Sequence, residues 1–149
     1  MSMFPEPAYR HGVYRTTKMW RERLGRYRLM GSRCRKCGAL WWPRRIGGVC
    51  GKCNSRDLEP YEFSHEGVLK THSLSSGTPL MGMEVYGADR RIVASVLLDE
   101  GVVVGPTEIV DTTFENLKDG VKVQMVTRKL RRESNGNWMY GYMWVPVRE

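Results

Sequence analysis

Along this chain the spacing of apolar residues changes character, and each change marks a different kind of element. Residues 1–13, with two prolines and little periodicity, read as an arm. From Tyr14 to Tyr27 the residues Trp20, Leu24 and Tyr27 recur at i, i+4 and i+7, one face of a helix. Gly25 weakens that helix by roughly 1 kcal/mol relative to alanine, yet the pattern predicts a short amphipathic helix ending at or just before Tyr27. Its apolar stripe is too narrow to form a core alone, so it must lie on its own domain or on a partner. After a cysteine-bearing block, "LEPYEF" (58–63) reads as an extended connector.

From there the period becomes two. Strands are predicted over 67–76, 91–98 with a turn at Asp99-Glu100-Gly101, 102–110, 121–130 and 138–147. Gly105-Pro106 suits a bulge or an edge. Residues 135–137, Asn-Gly-Asn, signal a hairpin turn. Between the third and fourth strands, Thr112 with Glu115 has the form of a capping box, and Gly120 would close a helix of two turns at most. Residues 76–90, with three glycines and Pro79, read as a loop between the first two strands. The chain is therefore expected to be mainly β. Five strands with a short helix after the third is the order of an OB-fold barrel. A five-stranded sandwich stays open, because periodicity cannot show closure.

At 149 residues the chain makes one ordinary domain or two small ones sharing a core. Its 41% hydrophobic and 27% charged residues suit a folded protein. No apolar run approaches a membrane span and the N-terminus shows no secretory h-region, so no membrane partner and a cytoplasmic location are expected. The formal charge of +8 is unevenly placed: residues 1–60 carry 14 Lys+Arg against 4 Asp+Glu, leaving 10 against 12 for the remainder. A basic front half suggests an anionic counterpart such as nucleic acid, a phosphorylated cofactor or an acidic protein. The plainer alternative is a solvated basic surface.

All four cysteines lie in "CRKCGALWWPRRIGGVCGKC" (34–53), as two Cys-x-x-Cys pairs. Cys34, Cys37, Cys50 and Cys53 have the spacing of two knuckles completing a tetrahedral four-cysteine site, for one structural ion, with zinc favoured over rubredoxin-type iron. Gly38 and Gly51 would supply the backbone freedom such turns need. Thioredoxin-like redox chemistry is the weaker alternative, because no βαβ pattern surrounds either pair. Four thiolates leave no open coordination position, so the ion should hold a fold rather than catalyse. The insert "ALWWPRRIGGV" would form the ribbon's strands. Trp41 and Trp42, being adjacent, point to opposite faces, with Arg44 and Arg45 beside them.

Catalytic patterns are missing from the sequence. His11, His65 and His72 are isolated, and no phosphate loop, nucleophile elbow or nicotinamide fingerprint occurs. Asp99-Glu100 is most simply a turn. Trp138, Tyr140, Tyr142 and Trp144 alternate on one face of the last strand and read as core or subunit interface in preference to a base-stacking platform.

"WRERLGRYRLMGSRCRKCG", "WWPRR", "IVASVLLDEG" and the terminal "YGYMWVPV", in this order, resemble the domain of unknown function 35 family from Trp20 onward. The resemblance implies a basic helix and arm (1–28), a zinc ribbon (29–63) and an OB-fold barrel (64–149). It further implies a non-catalytic accessory subunit joining thiolase-like and HMG-CoA-synthase-like proteins in an acyltransferase complex, of phloroglucinol acetyltransferase or archaeal acetoacetyl-CoA thiolase type. The catalytic residues would then lie on the partner chains. Trp20, Leu24, Tyr27, Trp41, Trp42, Arg44 and Arg45 have the composition of interface anchors for those partners, and the basic surface would also suit coenzyme A phosphates. The competing expectations are a single-stranded nucleic-acid-binding OB-fold protein and an acyl-CoA-binding protein. Nucleic acid is disfavoured because the charge lies outside the barrel.

Overall fold

A helix, a three-stranded sheet and a closed five-stranded barrel follow one another along the chain. The computed structural model describes residues 16–45, 47–76, 90–132 and 138–147. The predicted arm, most of the 76–90 loop and the Asn-Gly-Asn turn lie outside the described residues. Helix α1 spans Thr16–Arg28, one residue further than the periodicity suggests. Arg26 and Arg28 sit in its last turn, where cations meet the negative end of the helix dipole. The helix stops at Leu29, whose backbone is left-handed (φ 45°) and whose side chain is fully buried. Burial of that leucine compensates a conformation that costs roughly 1–2 kcal/mol in a non-glycine residue.

The sheet has the order β2-β1-β3, all antiparallel, from β1 (Met30–Cys34), β2 (Leu40–Trp41) and β3 (Leu58–Glu62). The expected connector 58–63 is therefore a strand, paired with β1 from Met30↔Glu62 to Cys34↔Leu58. Pro60 disguises it in the sequence, and is tolerated because β3 is an edge strand. The insert between the cysteine pairs supplies only the two residues of β2, not the whole ribbon.

The barrel is built from β4 (Glu66–Ser76), β5 (Arg90–Leu98), β6 (Val103–Ile109), β7 (Lys122–Arg132) and β8 (Trp138–Pro146), closed in the order β4-β5-β6-β8-β7. Its one parallel contact, Ile109↔Trp144, joins the third and fifth barrel strands. This is the OB arrangement, and closure excludes the sandwich. Ala94 pairs Thr107 and Val96 pairs Val104, so Gly105-Pro106 bulges opposite Ser95 where the sequence placed its break.

The helix after β6 is smaller than predicted. It is a single 3-10 turn, Phe114–Asn116, with Thr113 at its N-cap and no side-chain cap, so the Thr112–Glu115 box does not form. Beyond that turn the backbone pairs with β4 instead: Gly120 N–H donates to the Leu69 carbonyl (2.7 Å), and the Val121 carbonyl accepts from Leu69 N–H (2.9 Å).

Ribbon and barrel share one core. Leu29 and Phe63 are buried with Leu69, Val96, Leu98, Val104, Val123 and Trp144, and Leu40, Trp42 and Tyr61 pack against this cluster. The approach requires Gly31, where a Cβ would collide with the Phe63 ring and the Trp41 carbonyl. At the passage from ribbon to barrel, the Glu100 carboxylate accepts from Ser64 N–H (2.6 Å) and Ser64 Oγ (2.8 Å). Asp99-Glu100 is thus a turn, as expected, and its glutamate is a clasp.

Helix α1 rests on β1 and β8. Burial raises the Tyr142 phenol above its ordinary range, against the opposing charge of Arg26. The aromatic face of β8 divides. Trp144 is in the core and Tyr142 packs on Trp42, whereas Tyr140 is 40% and Trp138 38% exposed. β4 reaches β7 only through Glu66–Val68 with Lys122–Gln124, so the β7–β8 hairpin outgrows the barrel that would have covered them. Among the described residues no helix is long and apolar enough to cross a membrane.

Candidate metal centre

The two cysteine pairs fold into near-identical knuckles. In the first, Cys34 N–H donates to the Ala39 carbonyl (2.9 Å) and Gly38 N–H to the Cys34 carbonyl (2.8 Å). In the second, Cys50 N–H donates to the Ser55 carbonyl (2.8 Å) and Asn54 N–H to the Cys50 carbonyl (2.9 Å). Each turn closes on a left-handed residue four positions after its first cysteine, Gly38 (φ 71°) and Asn54 (φ 56°). Glycine and asparagine are the residues that adopt this conformation most readily. Gly38 has the role expected of it. Gly51 does not: the left-handed position in the second knuckle is Asn54. Gly51 instead makes room for a ring, since a Cβ there would lie 2.8 Å from Trp41 Cη2.

The four sulfurs converge within 4.8 Å of one another, with Cys34–Cys53 and Cys37–Cys50 both at 3.6 Å. A zinc ion at about 2.3 Å from each sulfur of a tetrahedron requires sulfur–sulfur edges of about 3.8 Å. A disulfide would require about 2.05 Å, and all four cysteines are free. The donor set therefore fits one tetrahedral metal ion. Cys34 and Cys50 are buried; Cys37 and Cys53 are partly accessible.

The thiols are not equivalent. Burial alone would raise Cys50, but hydrogen bonds from the Lys52 and Cys53 amides and from the Cys37 and Cys53 thiols outweigh it and pull it down to about 6. At Cys53 the Ser55 amide favours the thiolate, yet burial and the Cys37, Cys34 and Cys50 sulfurs oppose it and push the group up to about 12. The Cys50 thiolate forms readily, and Cys53 keeps its proton until a cation arrives.

Among the described residues, the others singled out in the sequence lie outside the cysteine cluster. Trp41 packs its ring edge on Gly51, and the Arg45 guanidinium lies over its face, 4.1 Å from the centroid. Trp42 turns inward, edge-on to Phe63 (6.2 Å) and Tyr142 (6.0 Å). Trp20 is 65% exposed on α1 with the Arg23 guanidinium 3.6 Å from its centroid. Leu24 is half-buried and Tyr27 exposed, and Arg44 is half-buried. His65 lies near Glu62 (3.8 Å), and His72 Nδ1 pairs with Asp119 (2.8 Å) with its ring against Phe114. Sequence reading missed the Asn54 turn, although Cys-x-x-Cys-Gly and Cys-x-x-Cys-Asn share its signal.

Residues 21–59 match the family model of the rubredoxin-like zinc ribbon domain of ChsH2. A DUF35 domain-containing scaffold protein of Pyrococcus furiosus is 36% identical over 132 residues, covering 88% of this chain and 92% of that one. Its counterpart from Methanothermobacter thermautotrophicus is 35% identical over 133 residues, covering 88% and 96%. Among solved structures, the Ltp2-ChsH2(DUF35) aldolase superposes with a TM-score of 0.67 at 21% identity, covering 91% of this chain and 97% of that one, a likeness of fold. With its ribbon, its barrel and nearly its whole length matched, the chain belongs to the family of DUF35 domain-containing scaffold proteins.

Proposed function

We propose that this chain is a non-catalytic scaffold subunit, stabilised by one zinc ion, that joins a thiolase-like and an HMG-CoA-synthase-like protein into a multi-subunit acyltransferase. The scaffold names of its archaeal relatives support the role, and the fold is shared with a chain of a two-component aldolase complex. The chemistry of the cysteine site supports it too. Bound zinc would crosslink the two knuckles, and Cys34, Cys37, Cys50 and Cys53 would occupy all its positions. Among the described residues, neither His65 nor His72 is hydrogen-bonded to a hydroxyl or thiol that it could activate.

The observation that carries the reading is Trp20. An indole 65% exposed, braced by Arg23 on an arginine-rich helix, has the composition and rigidity of an interface anchor. We assign Trp20, Leu24 and Tyr27 of α1, with Trp41, Arg44 and Arg45 of the ribbon, to partner contact; Trp42 supports that surface from beneath. The same arginines would offer charge to coenzyme A phosphates, and a cytoplasmic complex is the setting this implies.

The test co-expresses tagged chain with thiolase-like and synthase-like proteins of the same organism. Trp20→Ala should retain the fold yet weaken assembly by about 2 kcal/mol, roughly thirtyfold in affinity. Assembly at wild-type strength would remove α1 from the interface.

One observation favours a second reading, single-stranded nucleic-acid binding. Strand β7 carries five cations (Lys122, Arg128, Lys129, Arg131, Arg132) and no acid, and Lys129 lies over the exposed Trp138 ring at 4.9 Å. Tight binding of an oligothymidylate, lost in Trp138→Ala and falling steeply with salt, would favour it over the scaffold role.

A further inference from the structure

The interaction between Trp41 and the second knuckle is not explained by coordination, by the shared core or by docking. Trp41 ends β2 opposite Ser32 of β1, so its backbone is fixed by the sheet. Its benzo edge sits where a Cβ of residue 51 would be, with Cη2, Cζ2 and Cζ3 at 2.8, 3.3 and 3.5 Å from that position. Residue 51 lies inside the Cys50-x-x-Cys53 turn, and the next amide, Lys52 N–H, points at Cys50 Sγ (3.4 Å). The chain then curls so that Arg45 covers the ring. Arg45 N–H donates to Ser32 Oγ (2.9 Å), its guanidinium donates to the Val49 carbonyl (3.2 Å), and it stacks on the indole at 4.1 Å. Arg45 thereby ties β1, the indole and the segment entering the second knuckle into one stack.

We infer that Trp41 is a brace that holds the Cys50–Cys53 knuckle closed and sets how slowly the ribbon exchanges its metal, with Arg45 as its latch. Metal leaves a tetrathiolate site when one sulfur swings out, takes up a proton and is replaced by water or a competing ligand. The Cys34–Cys37 knuckle follows directly from β1. The Cys50–Cys53 knuckle is carried by a segment outside the sheet, and Cys53 is the partly accessible thiol on it. Trp41 is the sheet side chain that touches this segment at Gly51, so it couples knuckle opening to displacement of a stacked indole. A glycine at 51 is required for the fit, which explains a residue that the backbone conformation alone does not demand.

The inference rests on the metal centre and not on the scaffold reading, so the purified chain suffices to test it. Metal-loaded protein is mixed with excess chelator, and release is followed by a metallochromic dye. Outer-shell partners of metal ligands typically change metal affinity about 10–100-fold, and the apolar shell controls solvent access. Trp41→Ala should accelerate release within that range, Arg45→Ala by several-fold, and Trp41→Phe should restore most of the retention. Gly51→Ala, whose methyl must push the ring aside, should also release metal faster while keeping all four ligands. If Trp41→Ala does not fold, the exposed Arg45→Ala and Gly51→Ala decide the matter. Cobalt binding should quench tryptophan emission in the wild type and much less in Trp41→Phe. Wild-type release rates in folded Gly51→Ala and Arg45→Ala would overturn the proposal.

Discussion

Replacing Trp42 by alanine tests the claim that ribbon, helix and barrel are one packed unit. The indole is half-buried, touches the Phe63 and Tyr142 rings edge-on, and passes 3.7 Å from where a Cβ on Gly25 of α1 would sit. An aromatic side chain buries about 150–250 Å² when fully enclosed. Half of a tryptophan's share is about 100–125 Å², or about 2.5–3 kcal/mol at about 25 cal/mol per Å². Two edge-to-face contacts add about 0.5–1.5 kcal/mol each beyond that area, for a sum of about 3.5–6 kcal/mol. The unfolded chain already buries part of this surface, so the sum is an upper estimate, and a loss of about 3–5 kcal/mol is expected, in line with tryptophan truncations in cores. For a chain of this size that lowers Tm by roughly 6–20 °C. The measurement is thermal and urea unfolding with metal in constant excess, because ligand concentration shifts apparent stability. Trp20→Ala is the control, expected within about 0.5 kcal/mol of wild type. A Trp42→Ala loss below about 1 kcal/mol, or ribbon and barrel transitions that already separate in the wild type, would refute the shared core.

Metal affinity should fall as the medium is acidified. The Cys53 thiol, held up to about 12, still carries its proton at neutral pH, so loading must expel it and affinity drops at least tenfold per pH unit of acidification. Below about 6 the Cys50 thiolate also takes up a proton, and the slope should steepen by a further factor of ten per unit, read by competition with a calibrated chelator. Cys34→Ser should give a chain that binds metal far more weakly and loses the slow-exchanging ribbon amides in hydrogen exchange, because Cys34 carries both a ligand and the end of β1. Glu100→Ala should destabilise by about 1–3 kcal/mol, since the Ser64 amide and hydroxyl lose a charged acceptor. Arg128→Ala breaks an exposed pair with Asp111 (2.6 Å) and should change stability by less than about 1 kcal/mol.

What the sequence determined about this protein is whatever rests on short-range rules. Two Cys-x-x-Cys pairs imply four convergent sulfurs, because each turn is local; its closing residue reads correctly at Gly38 and is missed at Asn54, where Gly51 is the expected residue. Alternation in 67–76, 121–130 and 138–147 and the apolar, β-branched run 91–98 placed barrel strands nearly to the residue, and Gly105-Pro106 placed a bulge. What failed depended on partners far along the chain. Residues 58–62 became a strand because β1 needed an edge, against the appearance of a proline in the run. The helix expected from Thr112 to Gly120 shrank to one turn, since Gly120 N–H and the Val121 carbonyl pair with Leu69 of β4 instead of continuing it. The β8 aromatics keep one face throughout, but only the tertiary structure decided that the face is core at Trp144 and open at Trp138, where the hairpin passes beyond β4. Adjacency showed that Trp41 and Trp42 diverge; it could not show which packs on Gly51 and which on Phe63. Periodicity records which side of an element is apolar, and only the packed chain determines what lies against it.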